Sequence, residues 1–474
     1  MILIVSCVND DFYEGDDINL RFEVDTLRFD TVFTTVGTIT RSVKVYNDLD
    51  EKINIEKITL ADPDSQFRLN SQGFNKLPIE DIVIQPNDSI YIFVEATIDP
   101  DADVSISPFI IEDQILLTTS NQQRIQIEAY GQNANYIPDN ASAGRFSFLS
   151  CDFGEWVWDD PKPYVLYGSL FIDSCTLVLP AGTEVYVHGG IADNDIGVYN
   201  DGLIVIGSNG TIESNGTIDA PVRIQTDRLE ESFQDDAGQW GGILLTSDNE
   251  NRFDYTDIFH SIVGIRVDSA ANAEIHHCEI AFNSSNALLG VHSTINATNS
   301  LFHSSLSHGV NLVHGGDYRL EYCTVYNESS QTHALNMNNY LCLDQFCQQA
   351  LKNPLNSVFR NCIFGGFNSD EVWLDDIDIE DNNDLNYFFD HCVFRIDELI
   401  DPNLFPNFFE NVSNAINYDQ NDTLFLDVDS LFFQLDTMSI ARGVAEPITT
   451  LPLDKLDFVR STSSPDAGCF EFVE

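Results

Sequence analysis

Asp254-Tyr255-Thr256-Asp257-Ile258, His276-His277-Cys278-Glu279-Ile280, Thr298-Asn299-Ser300-Leu301-Phe302, Glu321-Tyr322-Cys323-Thr324-Val325, Arg360-Asn361-Cys362-Ile363-Phe364 and Asp390-His391-Cys392-Val393-Phe394 are six versions of one phrase. The third residue is always small (Cys, Ser or Thr) and the fifth is aliphatic or aromatic. The first three small residues, at 256, 278 and 300, are 22 positions apart. Self-similarity at that period marks a solenoid. Each phrase is too short and too weakly amphipathic for a helix, and it fits a strand of three to five residues with alternating side chains. A lone strand of this kind cannot bury itself, so each coil must stack on the next. Thr256, Cys278, Ser300, Cys323, Cys362 and Cys392 are therefore expected above one another as an interior ladder.

Gly and Asn punctuate the coils where the backbone must turn, and β-branched and aromatic residues fill the strands between. A leucine-rich repeat shares the period but needs a Leu-x-x-Leu-x-Leu frame that is missing. At ~22 residues per coil and ~4.8 Å per coil, the segment gives ten or eleven coils in a rod of about 50 Å. The interval between slots grows to 39 from Cys323 to Cys362 and to 30 from Cys362 to Cys392. These excesses hold Leu341 to Cys347 and Glu371 to Asp376, and insertions in a solenoid collect on one face, often the binding face. Trp373, Asp375, Asp376 and Asp344 are the candidate ligand face. Neutral drift of surface loops gives the same lengths. The irregular stretch from 401 to 474, rich in Phe, Asn and Asp, is expected to cap the open C-terminal end.

The 474-residue chain carries 76 acidic against 22 basic residues, a net charge of −54, which repels nucleic acid and anionic lipid heads. Partners of matching chemistry are cations, neutral glycans or basic protein surfaces, and a solvated acidic shell on an exported protein is the plainer reading. No apolar run is long enough to cross a bilayer, so a membrane would be met only through an N-terminal lipid anchor. Four of the ten cysteines, Cys278, Cys323, Cys362 and Cys392, hold the ladder slot and read as buried, inert thiols. A line of stacked positions is a poor match to a tetrahedral metal site. Cys342 with Cys347, and Cys151 with Cys175, are candidate disulfides.

Upstream, Leu27 to Phe33, Ser42 to Tyr46, Ile53 to Leu60, Ile82 to Ile84, Ile90 to Ile98, Gln114 to Thr119 and Arg124 to Ala129 read as strands parted by turn clusters such as Pro86-Asn87-Asp88-Ser89. Seven strands in about 110 residues make a β-sandwich. The fold class is thus all-β, and the chain divides into 1–21, a truncated lipoprotein signal and acidic tether; 22–133, a sandwich; 134–162, a linker and N-terminal cap; 163–400, a parallel β-helix; and 401–474, a cap.

Three resemblances sharpen this division. Ile4-Val5-Ser6-Cys7 resembles the lipobox of bacterial lipoproteins, which implies acylation of Cys7. Asn9-Asp10-Asp11 resembles the acidic export signal of Bacteroidetes-type cells, which implies an exported, outer-membrane or cell-surface lipoprotein. Val43-Lys44-Val45-Tyr46-Asn47-Asp48, Ile84-Gln85-Pro86-Asn87-Asp88-Ser89-Ile90 and Ile125-Gln126-Ile127-Glu128-Ala129-Tyr130-Gly131 look like hydin-type immunoglobulin-like domains, which space or orient a neighbour. Pro180-Ala181-Gly182-Thr183-Glu184-Val185-Tyr186-Val187, Ala220-Pro221-Val222-Arg223-Ile224-Gln225-Thr226, Gln239-Trp240-Gly241-Gly242-Ile243 and the closing Asp466-Ala467-Gly468-Cys469-Phe470-Glu471 are similar to right-handed parallel β-helix proteins of such bacteria.

Pectin lyases and polygalacturonases share that handedness, so chemistry has to be weighed. A hydrolase needs close carboxylates on one face with a His and a basic clamp. Ser307-His308-Gly309 and Gln234-Asp235-Asp236 match such elements only faintly, and they lie about 70 residues apart. A lyase needs Ca²⁺ and an Arg or Lys base, and from Cys151 to Asp401 the only lysines are Lys162 and Lys352. Arg266, Arg319 and Arg360 read as surface ion pairs. His276, His277, His303, His308 and His314 read as ring stacking between coils rather than a metal centre. The expectation is a monomeric, non-catalytic surface module that contacts a glycan or another surface protein and requires no cofactor. The alternative is a Ca²⁺-assisted polysaccharide lyase or glycoside hydrolase.

Overall fold

The computed structural model describes residues 12–13, 15, 18–33, 40–96, 109–132, 134–137, 146–151, 154–194, 197–200, 202–229, 233–327, 331–377, 384–403, 405 and 407–473. Cys7 and the lipobox lie outside the described residues. The chain is all-β, with short 3-10 turns at Glu398–Ile400 and Phe408–Asn411. It separates into two compact units, one ending at Ala134 and the other starting at Asn135, with residues 229–231 grouped with the first.

In the first unit, Arg21–Phe22, Arg41–Tyr46, Ser89–Ala96 and Phe67–Ser71 form one sheet. Thr26–Phe33, Gln122–Gln132, Phe109–Thr118, Ile53–Leu60 and Ile79–Ile84 form a second, in which the first pair is parallel and the rest antiparallel. Alternation explains the core between them. Val43 and Val45 of one sheet and Ile55, Ile58, Ile115 and Ile127 of the other are fully buried, while the residues between them face outward. Phe67–Ser71, whose Phe-Arg-Leu-Asn-Ser carries too few β-formers to stand out, is a strand that the sequence pattern hides.

In the second unit the chain winds so that three strands per coil fall into three columns. The first column is an all-parallel eleven-stranded sheet running from Asn135–Ile137 and Tyr164–Tyr167, through Thr256–Phe259, Glu279–Ala281, Leu301–Phe302, Thr324–Asn327 and Ile363–Gly366, to Val393–Phe394 and Ile416–Asn417. The second and third columns together make a seventeen-stranded sheet. The stretch 134–162, expected as a linker and cap, already supplies the first coil. Asn135–Ile137, Phe146–Leu149 and Glu155–Val157 pair in parallel with Tyr164–Tyr167, Ser169–Ile172 and Thr176–Leu179. The Asn, Ala, Ser and Gly of 132–144 disguise a first strand that has a partner on only one side.

The ladder follows from the register. Asp257 pairs with Glu279, Glu279 with Leu301, Leu301 with Thr324, Thr324 with Ile363 and Ile363 with Val393. This sets Thr256, Cys278, Ser300, Cys323, Cys362 and Cys392 one above another, and all six are 0% exposed. The phrase is not a single strand, as its length suggested. It straddles a corner: a third-column strand ends at its first residue, and a first-column strand starts at or just after its third. The second residue turns the corner alone, with φ of 41° at Tyr255, 58° at His277, 49° at Asn299, 51° at Tyr322, 57° at Asn361 and 52° at His391. The carbonyl before each corner already accepts one backbone N–H from a neighbouring coil, as Thr298 does from His277 at 3.0 Å. The small side chain fills its second acceptor position: Thr256 Oγ1 donates to the Asp254 carbonyl at 3.0 Å and Ser300 Oγ to that of Thr298 at 2.8 Å. Cys278, Cys362 and Cys392 Sγ donate to the carbonyls two residues back at 3.4, 3.3 and 3.5 Å. The slot thus selects a side chain that is short and carries a donor hydrogen, which is Cys, Ser or Thr.

The segment 401–474, expected to close the end, divides in two. Phe408 does close it, packing on Phe389 and Phe394. From Tyr418 onward the chain instead turns back along the flank of the coils. There the side chains of the corner residues receive it. Asn299 Nδ2 donates to the Leu453 carbonyl at 3.1 Å, Tyr322 Oη to that of Glu446 at 2.9 Å, and Asn361 Nδ2 to the same carbonyl at 2.8 Å. Gly468, at φ 88°, brings the backbone in close enough for its N–H to donate to the Asn361 carbonyl at 2.7 Å. The reason is apolar area. Leu301, Ile363 and Val393 point outward from the first column, and this arm buries them under Phe425, Phe433 and Phe470.

Candidate functional site

The strand Val372–Asp375 sends Val372 and Leu374 into the core and leaves Trp373 and Asp375 on the outer face of the second column. Trp373 is half-buried and stacks on His333 at 5.1 Å between centroids and 11° between planes. His333 stacks in turn on His308 of the preceding coil at 5.7 Å and 9°. The His333 N–H donates to His308 Nδ1 at 3.2 Å, and burial, with His333 close by, pushes the His308 imidazole down to about 4. At neutral pH His308 is uncharged. Three parallel, stacked rings thus run along the coils, beside Asn311 and Asn336, which are joined side chain to side chain at 2.7 Å. His333 was missed in the sequence because its slot lies outside the phrase, in coils whose spacing the insertions distort.

The other expected members of this face have structural duties. Asp375 accepts from the Tyr340 hydroxyl, and Asp376 accepts from Asn339 Nδ2 at 3.2 Å and lies 3.4 Å from Lys352 Nζ. Asp344 also has a structural duty. Its carboxylate accepts the backbone N–H groups of Phe346, Gln348 and Gln349, which ties up the tip of the inserted hairpin and holds the carboxyl below its usual range. That hairpin, Tyr340–Cys342 with Ala350–Lys352, carries the Cys342–Cys347 disulfide, and Cys151–Cys175 is the other one present.

The first column holds a carboxylate pair on its outer face, Asp257 and Glu279 on adjacent coils. Lys455 of the C-terminal arm reaches down to Glu279, with Nζ 3.0 Å from Oε2, and His303 Nε2 approaches Glu279 Oε1 at 3.3 Å. Burial pushes Asp257 up to about 6, against the pull of Lys455. Burial also acts upward on Glu279, but Lys455 and His303 outweigh it and hold the group at about 2. Carboxylates pushed apart in this way are what acid–base chemistry requires. Here, however, a lysine rather than an open cleft faces them. No local pattern signals this contact, because Lys455 lies 176 positions beyond Glu279.

Asp390, His391 and Glu446 also draw together, with ligand atoms within 4.8 Å of one another. The Arg360 guanidinium already stands among them, 3.5 Å from Asp390 and 3.3 Å from Glu446, and supplies the positive charge. Of the histidines read as stacking between coils, His277 stacks on Tyr255 of the neighbouring coil at 4.4 Å, whereas His303 lies tilted by 47° against Phe433 at 4.7 Å.

The fold and these surfaces define an all-β chain built on large parallel sheets. No family model matches it, and no curated protein does. Among solved structures it is similar to a protein of unknown function from Porphyromonas gingivalis W83, at 13% identity and a TM-score of 0.18 over 23% of this chain and 46% of that one. It is also similar to XylC in complex with xylose, at 10% identity and a TM-score of 0.31 over 94% and 88%. The catalytic domain of a GH87 alpha-1,3-glucanase overlaps at 8% identity and a TM-score of 0.23 over 80% and 88%. Overlaps this shallow carry no argument for function.

Proposed function

We propose that this chain is an exported, lipid-anchored surface module that binds glycan without cleaving it. It would consist of an immunoglobulin-like sandwich followed by a right-handed parallel β-helix. The observation that carries this reading is the His308–His333–Trp373 column, parallel stacked rings on an outward face next to amide side chains. Trp373 ends the stack, and a sugar's apolar face can lie on the plane of such a terminal ring while its hydroxyls pair with amides. Against catalysis stands the Lys455 ion pair, which closes the Asp257–Glu279 pair off from a substrate. The lipobox-like Ile4-Val5-Ser6-Cys7 is what supports a lipid anchor, which acylation at Cys7 would supply. Expression in a host that processes lipoproteins is expected to give palmitate incorporation in the wild type and none in Cys7→Ser; a labelled Cys7→Ser protein refutes the anchor.

Trp373→Ala tests the binding. On a glycan array the full chain is expected to retain a subset of glycans, and Trp373→Ala to lose at least about tenfold in affinity for them, which is on the order of 1.4 kcal/mol of stacking. Its melting temperature should move little, since Trp373 is only half-buried. Unchanged retention would remove the ring column from the reading.

A further inference from the structure

We propose that the groove between the returning segment 420–428 and the turn at Gly366–Phe367 is a second binding site, selective for an acidic sugar, a hydroxyl-bearing ring that carries a carboxylate. The groove measures about 650 Å³, room for one or two sugar units, and its wall combines Tyr326, Phe367, Tyr418 and Leu426 with Gln420 and Asn421. Phe367 and Leu426 are 53% and 54% exposed, an open apolar face of the size of a sugar ring.

The selectivity comes from Arg395 on the same wall. In a chain with 76 acidic residues most arginines of this unit meet a carboxylate, as Arg223, Arg252, Arg266, Arg319 and Arg360 do, whereas Arg442 lies over the Phe472 ring. Arg395 makes no such pair among the described residues. Its guanidinium donates from Nη1 to the Gly366 carbonyl at a long 3.4 Å. The acids nearest it hold other groups rather than its guanidinium. Asp370 accepts the N–H groups of Asp397 and Glu398 at 2.6 and 2.9 Å. Asp422 and Asp427 line the same groove, where Asp422 accepts from the Asp419 N–H and Asp427 from the N–H and hydroxyl of Ser430, and neither makes an ion pair with Arg395. Glu371 is fully buried and, pushed up to about 8 by that burial, carries no charge at neutral pH. A guanidinium left without an acid beside a wall of aromatic and amide side chains is set to take a planar carboxylate through two parallel hydrogen bonds. The long-range repulsion of the acidic shell is screened beyond about 8 Å at physiological salt, whereas this contact is direct.

The test is calorimetric titration of the full chain with a disaccharide ending in glucuronic acid, the same disaccharide ending in glucose, and acetate. The acidic disaccharide is expected to bind at least about tenfold more tightly than either control and to weaken with added salt. Arg395→Met should erase the difference, Arg395→Lys should keep part of it, and Trp373→Ala should leave it untouched, which separates this site from the ring column. If Arg395→Met is misfolded by circular dichroism, the lysine variant and the salt dependence still decide. Equal affinity for the acidic and neutral sugars, no binding of any of the three, or an undiminished preference in Arg395→Lys would overturn the proposal.

Discussion

Glu371→Gln is expected to abolish a loss of stability of about 5 kcal/mol that the wild-type chain suffers between pH 4.5 and about 8. Glu371 is fully buried and accepts the N–H groups of Ala334 at 2.9 Å and Asn368 at 2.7 Å. Those bonds, with Arg395 nearby, favour the charged form, but burial outweighs them and lifts the group from 4.5 to about 8. The unfolded chain releases this proton near pH 4.5 and the folded chain keeps it to about 8, so across that window the folded state binds more protons. Stability then falls as pH rises, by 1.36 kcal/mol per unit. Glutamine cannot ionise, so this slope vanishes in the variant, at a pH-independent cost of about 1 kcal/mol for the altered hydrogen bonds. Urea unfolding of both proteins across the window measures the difference. It should widen in favour of the variant as pH rises, and parallel curves would show that the carboxyl is not held neutral.

Lys455→Met carries the next largest effect and the opposite pH dependence. Glu279 sits at about 2, below the ordinary 4.5, because Lys455 and His303 outweigh its burial. A carboxyl depressed in this way contributes stability above pH 4.5 and loses it as pH falls toward 2. Removing the lysine leaves Asp257 and Glu279 stacked with only Arg223 at 3.6 Å and His303 at 3.3 Å as partners. The expected cost at pH 7 is about 3 kcal/mol, at the low end for breaking a buried pair because the Glu279 side chain is still 29% open to water. The deficit should shrink below pH 4.5. Limited proteolysis should also release the C-terminal arm earlier, because Lys455 is one of the points that hold it to the coils.

The repeat phrase made the stack legible, since a period of about 22 residues admits few architectures and the small third residue marks one fixed point in each coil. What it hid was the corner. Tyr255, His277 and Tyr322 at positive φ do not look like turn residues, so the phrase read as a strand when it is the end of one strand and the beginning of another. The first coil was illegible for a related reason: a terminal strand pairs on one side only and tolerates the polar residues of 134–162. The binding surfaces were the least legible. Trp373 stood out because tryptophan is scarce, whereas His333, Lys455 and Arg395 owe their surroundings to segments between about 25 and 180 residues away, which no local pattern encodes. Asp344 shows the converse. An acidic residue in an inserted loop invites a ligand role, yet in a tight hairpin the nearest unsatisfied groups are the loop's own N–H groups, and these claim the carboxylate.

The most direct test of binding without cleavage is mass spectrometry of a glycan recovered after prolonged incubation with the full chain and Ca²⁺, using one that the array shows it retains. The expected result is a glycan of unchanged mass that wild-type protein retains and Trp373→Ala does not. Shortened products, whether from water addition or with the unsaturated end of a lyase reaction, would contradict it.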